Sequence, residues 1–147
     1  MSDTGVPQPA SFRHGPFQGL VGYDIVDDEN GLYFTLTIRR DLLNPHDVLH
    51  GGVALTMLDA VGGRGLVGRV RRGTGEMIRS SVTVTLTTDF MRAVGEGTLY
   101  AIGTPDHIGK TLAHVSMELR QGAIDGPLVA RGVGTYRVYT KSLVKAR

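Results

Sequence analysis

Two features of residues 44–67, NPHDVLHGGVALTMLDAVGGRGLV, carry the groups of a reaction site: a His50-Gly51-Gly52 step, and one carboxylate, Asp59, set into an apolar helical pattern. Ala54, Leu58 and Val61 recur at helical spacing. Gly52, Leu55, Thr56, Asp59, Gly62 and Gly63 lie on another side that is mostly small, so something must approach the helix closely there. The predicted helix begins near residues 50–52 and frays where the glycines crowd after Val61. The first N–H groups of a helix have no partner inside it and point out of its positive end. With no side chain to block them, those of Gly51 and Gly52 form a donor pair for a carbonyl oxygen or a developing oxyanion. A carboxylate among Ala, Leu and Val is a candidate base or nucleophile.

Spacing then constrains how these groups can cooperate. His50 and Asp59 are nine residues apart, about 2.5 turns and roughly 13 Å of rise. Asp59 therefore points to the far side of the helix from its entrance, and the two cannot easily act on one atom within one chain. If both are catalytic, the site is shared across a two-fold axis, His50 from one subunit and Asp59 from its mate. Each residue also has an ordinary reading. Asp59 could cap a loop or pair with Arg64, His50 could be a helix-entry residue bonded to backbone, and Asn44-Pro45 is a common turn signal. The apolar, glycine-flanked setting of Asp59 and the grouping of His50 with Gly51, Gly52 and Asn44 favour the chemical reading.

The elements that position these groups follow from period. Residues 1–16 are rich in Pro, Gly and Ser and predict a mobile arm, with Phe12 and Phe17 available to pack on the body. Residues 17–140 read as one domain and 141–147 as a tail. Residues 21–26 and 32–38 (LYFTLTI) form a predicted hairpin around DDENG. Past the helix, GRVRRGTG (residues 68–75) reads as a flexible basic connector. From Ser80 the period is two: Val82, Val84 and Leu86 face one way, Ser81, Thr83, Thr85 and Thr87 the other, and Phe90 closes the run. Residues 98–104, 111–119 and 128–138 are further strands, separated by turns at VGEG, DHIGK and AIDGP. Two strands, one long helix and four strands define an α+β chain, an antiparallel sheet wrapped round one central helix. Gly103, Gly132 and Gly134 suit a strongly bent sheet.

Composition narrows the function classes. At 147 residues with 41% apolar content and a formal charge of +2, the chain is one soluble globular domain with little support for nucleic-acid binding. The absence of cysteine removes disulfides, Cys-ligated zinc and a thiol nucleophile together. No apolar run approaches a membrane span and the N-terminus lacks a basic-then-apolar signal, so cytoplasm is the expected location. Three motif look-alikes fail on context. His46-Asp47-Val48-Leu49-His50 would place its second His at a helix start with no third zinc ligand, so no metal is expected. Residues 63–68 fit G-x-G-x-x-G by letter but follow a helix and not a strand. Gly109-Lys110-Thr111 is a hairpin turn.

Asn44, His50-Gly51-Gly52 six residues on, Asp59 nine further, then a Thr-rich strand ending Asp-Phe-Met-Arg, resemble the hot-dog-fold acyl-CoA thioesterases of the phenylacetic-acid-degradation (PaaI-like) type. The likeness extends over about residues 19–138, including GKTLAHVSMELR and GPLVARGVGTYRV. It implies the following roles. Asp59 is the nucleophile or the general base on water, the Gly51 N–H polarises the thioester carbonyl, and His50 and Asn44 are the polar pair at the reacting group. Thr83 matches the Ser or Thr that positions water or the acid, with Thr85 left open by the alternation. Gly52, Arg92, Arg72 and Lys110 are expected at coenzyme A, and Arg69, Arg71 and Arg79 are further candidates for its phosphates. The substrate is then a coenzyme A thioester with no separate cofactor. The assembly is a homo-oligomer, a dimer or a dimer of dimers, with sites at subunit interfaces. The chain departs from the family at Ala93-Val94, where a proline is usual. A hot-dog hydratase or dehydratase and a non-catalytic acyl-CoA binder are the alternatives.

Overall fold

The computed structural model describes residues 15–143; the expectations for residues 1–14, Phe12 among them, and for 144–147 lie outside the described residues. The order is α1 (Pro16–Val21), β1 (Asp24–Asp28), β2 (Gly31–Thr37), a 3₁₀ turn, α2 (Gly51–Arg64), β3 (Ser80–Phe90), β4 (Thr98–Ile108), β5 (Leu112–Gln121) and β6 (Leu128–Tyr139). The six strands form one antiparallel sheet in the order β1-β2-β4-β5-β6-β3, wrapped round α2 as expected for a hot-dog fold. Strict alternation builds the face that α2 meets: Ala113, Val115, Met117 and Leu119 of β5 are buried while Leu112, His114 and Glu118 are exposed. From the helix, Ala54, Met57, Leu58 and Val61 complete the core.

Several local expectations change. First, α2 does not fray after Val61 but continues through Gly62 and Gly63 to Arg64. These glycines are packing residues: a Cβ at Gly62 would collide with the Tyr136 hydroxyl and lie 3.0 Å from Met117 Sδ, and one at Gly63 would lie 3.1 Å from Ser81 Oγ. The close approach required by the small side of the helix thus comes, at this end, from β6 and β3 of the same chain. Replacing Gly62 by Ala should gain about 1 kcal/mol in helix propensity. It should lose about 1–3 kcal/mol through overpacking against a ring with no room to withdraw. The expected net result is destabilisation, measured as a lower denaturant midpoint.

Second, residues 16–21, between the expected arm (1–16) and the expected strand (21–26), form a short helix, and the strand starts only at Asp24. Pro16 opens it, Gly22 closes it at φ 86°, and the Arg39 guanidinium donates to the carbonyls of Val21 and Leu20. Phe17 does not tuck in; it is 57% exposed. Third, the basic connector is an ordered excursion: Arg71 N–H donates to Glu76 O at 2.8 Å, Ile78 N–H to Arg69 O at 2.7 Å, and Arg71 pairs with Glu76 at 3.2 Å. Fourth, β4 runs past its predicted end through Pro105 to Ile108, because a register shift between Pro105 and His107 takes the proline at an irregular step. The VGEG segment is not a hairpin turn; it carries the chain from β3 at one edge to β4 inside the sheet, bonding Leu49 N–H to Val94 O at 2.7 Å on the way.

The strand most relevant to the site is β3. A register shift between Thr83 and Thr85 leaves Val84 as an extra residue, and the alternation changes face there. Ser81 and Thr83 point to α2 before the bulge, and Leu86 packs on the core after it, while Val82 (47%) and Val84 (54%) are exposed. The grouping of Val82, Val84 and Leu86 on one face is thereby overturned. β3 is also an edge strand, bonded only to β6. The opposite edge, β1, is five residues long and carries Asp24, Asp27 and Asp28, the usual protection against pairing. β3 is eleven residues long and has no charge before Asp89.

Candidate active site

Asp59 lies two turns into α2, half-buried, and its partners are hydroxyls. Thr83 Oγ1 donates to Oδ1 at 2.6 Å, and the Tyr136 hydroxyl donates to the Asp59 main-chain carbonyl at 3.0 Å with a longer contact to Oδ1 at 3.4 Å. The bulge decides between the two threonines. Thr83 pairs with Tyr136 on the helix-facing side, whereas Thr85 pairs with Thr135 on the outer side. Burial, and after it the charge of Asp59, push the Tyr136 and Tyr23 pKa values up, so both phenols keep their protons at neutral pH. A cleft of about 510 Å³ opens beside the carboxylate. Tyr23, Ile25, Phe34, Ala60 and Val67 give it an apolar wall, with Tyr23 and Phe34 stacked at 5.3 Å, and Arg79, Ser80 and Ser81 line it as well.

The helix entrance differs from expectation in one respect. His50 is the N-cap of α2, and its Nδ1 accepts the Gly52 N–H at 2.9 Å. The anticipated donor pair is therefore one donor: Gly52 is committed to the cap, and the Gly51 N–H has no acceptor among the described residues. The cap also sets the histidine tautomer, because an accepting Nδ1 leaves the ring proton on Nε2, which is free to donate outward. Asn44 builds the loop that delivers this turn. Its Oδ1 accepts from His46 N–H at 2.9 Å and Val48 N–H at 3.3 Å, with Asp47 between them at φ 60°. Gly51 sits under Phe90, where a Cβ would lie 3.4 Å from the ring. A second cavity of about 320 Å³ borders Gly51, Ala54, Phe90, Met91, Arg92 and Val94.

The structure thus brings Asp59 and Thr83 together, and brings Gly51 and Arg92 to one cavity, with His50 capping the helix beside Gly51, but keeps the two groups apart. The two cavities have no lining residue in common. From Gly51 to Asp59 the helix rises by roughly 12 Å. Arg72 and Lys110, expected at coenzyme A, are exposed in the β3-preceding excursion and the β4–β5 turn and line neither cavity. Tyr136 escaped the sequence reading. Its signal was there: an aromatic residue on β6 with a phase facing the helix, opposite the Gly62-Gly63 pair that had no explanation.

A six-stranded antiparallel sheet of this order round one main helix is the hot-dog architecture. Residues 46–126, more than half of the 147-residue chain, match the Thioesterase superfamily, and the chain belongs to that family and is a thioester hydrolase. Solved structures agree. The conserved protein PA5202 of Pseudomonas aeruginosa is 28% identical with a TM-score of 0.74, over 89% of this chain and 100% of that one. The BH2602 protein of Bacillus halodurans, crystallised with CoA, is 25% identical with a TM-score of 0.73, over 91% and 82%. A phenylacetic acid degradation-related protein of Ralstonia eutropha JMP134 is 26% identical with a TM-score of 0.69, over 92% and 94%. No helix among the described residues is long and apolar enough to cross a membrane.

Proposed function

We propose that this protein hydrolyses acyl-CoA thioesters at sites shared between two copies of the chain. The observation that carries this reading is the separation of Asp59 and the Gly51 N–H into two cavities, both of which reach β3, the long edge strand with no charge before Asp89: Thr83 borders the first and Phe90 the second. Antiparallel pairing of β3 with its copy, in a register that sets Thr83 of one chain near Phe90 of the other, puts the axis near Leu86 and Thr87 and joins an Asp59 half-site to a Gly51 half-site twice over. A dimer, or a dimer of such dimers, follows from that pairing. The CoA held by the Bacillus halodurans protein supports the choice of thioester.

In this reading the thioester oxygen accepts from the Gly51 N–H, with the His50 Nε2–H and the Asn44 amide beside it. The Asp59 carboxylate of the other chain either takes a proton from water as it attacks or attacks the carbonyl carbon itself. Negative charge then grows on the oxygen held by Gly51, the C–S bond breaks, and the thiolate of coenzyme A leaves and takes up a proton. Water attack gives the free acid directly, whereas Asp59 attack gives an acyl-aspartyl anhydride that a water molecule then hydrolyses to the free acid and the carboxylate. The apolar wall of the Tyr23–Phe34 cleft suits small, aromatic or medium-chain acyl groups. The test is thiol release from a panel of short, aromatic and medium-chain acyl-CoAs. The expected result is turnover of at least one class; no release from any of them contradicts the proposal.

A further inference from the structure

We propose that Tyr136 is a positioning residue of this site, whose hydroxyl acts with that of Thr83 to fix which oxygen of Asp59 reacts; the inference rests on the acyl-CoA thioesterase reading above. Both hydroxyls reach the same oxygen, Oδ1, at 2.6 Å from Thr83 and 3.4 Å from Tyr136. Oδ2 has no partner among the described residues and is the oxygen left to meet water or the thioester carbon. The Tyr136 hydroxyl also bonds the Asp59 main-chain carbonyl at 3.0 Å, so it ties the side chain to its own turn of helix.

The surroundings of the ring support a role for the hydroxyl and not for bulk alone. Three glycines make the slot it occupies. A Cβ at Gly62 would strike the hydroxyl itself, one at Gly63 would lie 3.3 Å from Cε1, and one at Gly134 would lie 2.7 Å from Cε2. Two of these interrupt α2 with residues of low helix propensity, a cost that a plain aromatic contact on a buried strand does not need. The β3 bulge is the matching device on the other side, because it turns Thr83 inward at the cost of a ladder position at Val84. Tyr136 is only 1% exposed, at the wall of the Asp59 cleft.

The experiment compares wild type, Tyr136→Phe, Thr83→Val, their double variant and Asp59→Asn in steady-state acyl-CoA hydrolysis and thermal unfolding. Tyr136→Phe keeps the ring in its slot. It is expected to lower kcat about tenfold with KM within about twofold, since the tie to the Asp59 main-chain carbonyl and the longer contact to its carboxylate are lost without changing the walls that bind substrate. The double variant is expected to fall below either single one. Unchanged kcat in Tyr136→Phe, in an enzyme that Asp59→Asn inactivates, overturns the positioning role alone; a wild type inactive on every acyl-CoA overturns the reading beneath it. An activity-independent readout tests the slot. The loss of Tm caused by Gly62→Ala is expected to be smaller in the Tyr136→Phe background, and equal losses in both backgrounds overturn the assignment of that space to the hydroxyl.

Discussion

Asp59→Asn is expected to lower kcat for acyl-CoA hydrolysis by about 10³-fold while leaving the fold and KM nearly unchanged. The substitution is close to isosteric, and an amide oxygen can still accept from Thr83 and Tyr136 where Oδ1 now does. It removes the charge and the basicity, which are what water or the carbonyl carbon needs from this group. On the proposed mechanism, residual turnover should remain above the uncatalysed rate, because the Gly51 N–H is untouched. Thiol release followed in a continuous assay, with far-ultraviolet circular dichroism as the check on folding, reads the effect. Wild-type kcat in a folded Asp59→Asn protein would remove the carboxylate from the mechanism.

The second large effect is expected from Gly51→Pro, which replaces the backbone N–H with a ring carbon. Gly51 is the first residue of α2, the position where proline is most at home because its missing N–H has no partner in the helix anyway. The preceding residue, His50, already sits at φ −59° and ψ 131°, the extended region that a following proline requires. The nearest atoms to a new Cβ belong to the Phe90 ring, at 3.4 Å. The helix should therefore form as before, with Gly52 still capped by His50. What disappears is the proposed donor to the thioester oxygen, and losing one such donor is expected to cost about 10²–10³ in kcat. Thermal unfolding near the wild-type temperature, with activity retained in Gly51→Ala, which adds a Cβ but keeps the N–H, would assign the loss to the N–H. A variant with full activity would show that the oxyanion is held elsewhere.

How far the sequence reached can be judged at individual residues. The order of two strands, one helix and four strands was legible because β5 and β6 alternate cleanly and α2 carries Ala54, Leu58 and Val61 at helical spacing. The Asp59 and His50-Gly51-Gly52 pattern was legible because acids and glycine pairs are rare in such surroundings. What a one-dimensional pattern could not carry were the places where a single residue resets the geometry. The extra residue at Val84 reverses the faces of β3 and thereby selects Thr83 over Thr85, but period-two counting has no mark for a bulge. Gly62 and Gly63 read as a helix end because propensity penalises them, whereas the packed protein keeps them helical to admit Tyr136 from a strand more than seventy residues later. Gly52 read as a second oxyanion donor because its N–H is unpaired within any helix; only the side-chain geometry of His50 reveals that it is capped. The short helix α1 carried its signals, Pro16 and Gly22, inside a stretch whose composition pointed to an arm.

The measurement closest to the central claim combines the two damaged chains. Wild-type dimers would contain two sites, each made from the Gly51 of one chain and the Asp59 of the other. A differentially tagged heterodimer of one Gly51→Pro chain and one Asp59→Asn chain then holds one site with both lesions and one site with neither. Purified by both tags, it is expected to show about half the wild-type kcat, far above either parent homodimer. If instead its activity only equals the average of the two inactive parents, each chain must complete its own site, and the account of a reaction centre shared across β3 is wrong.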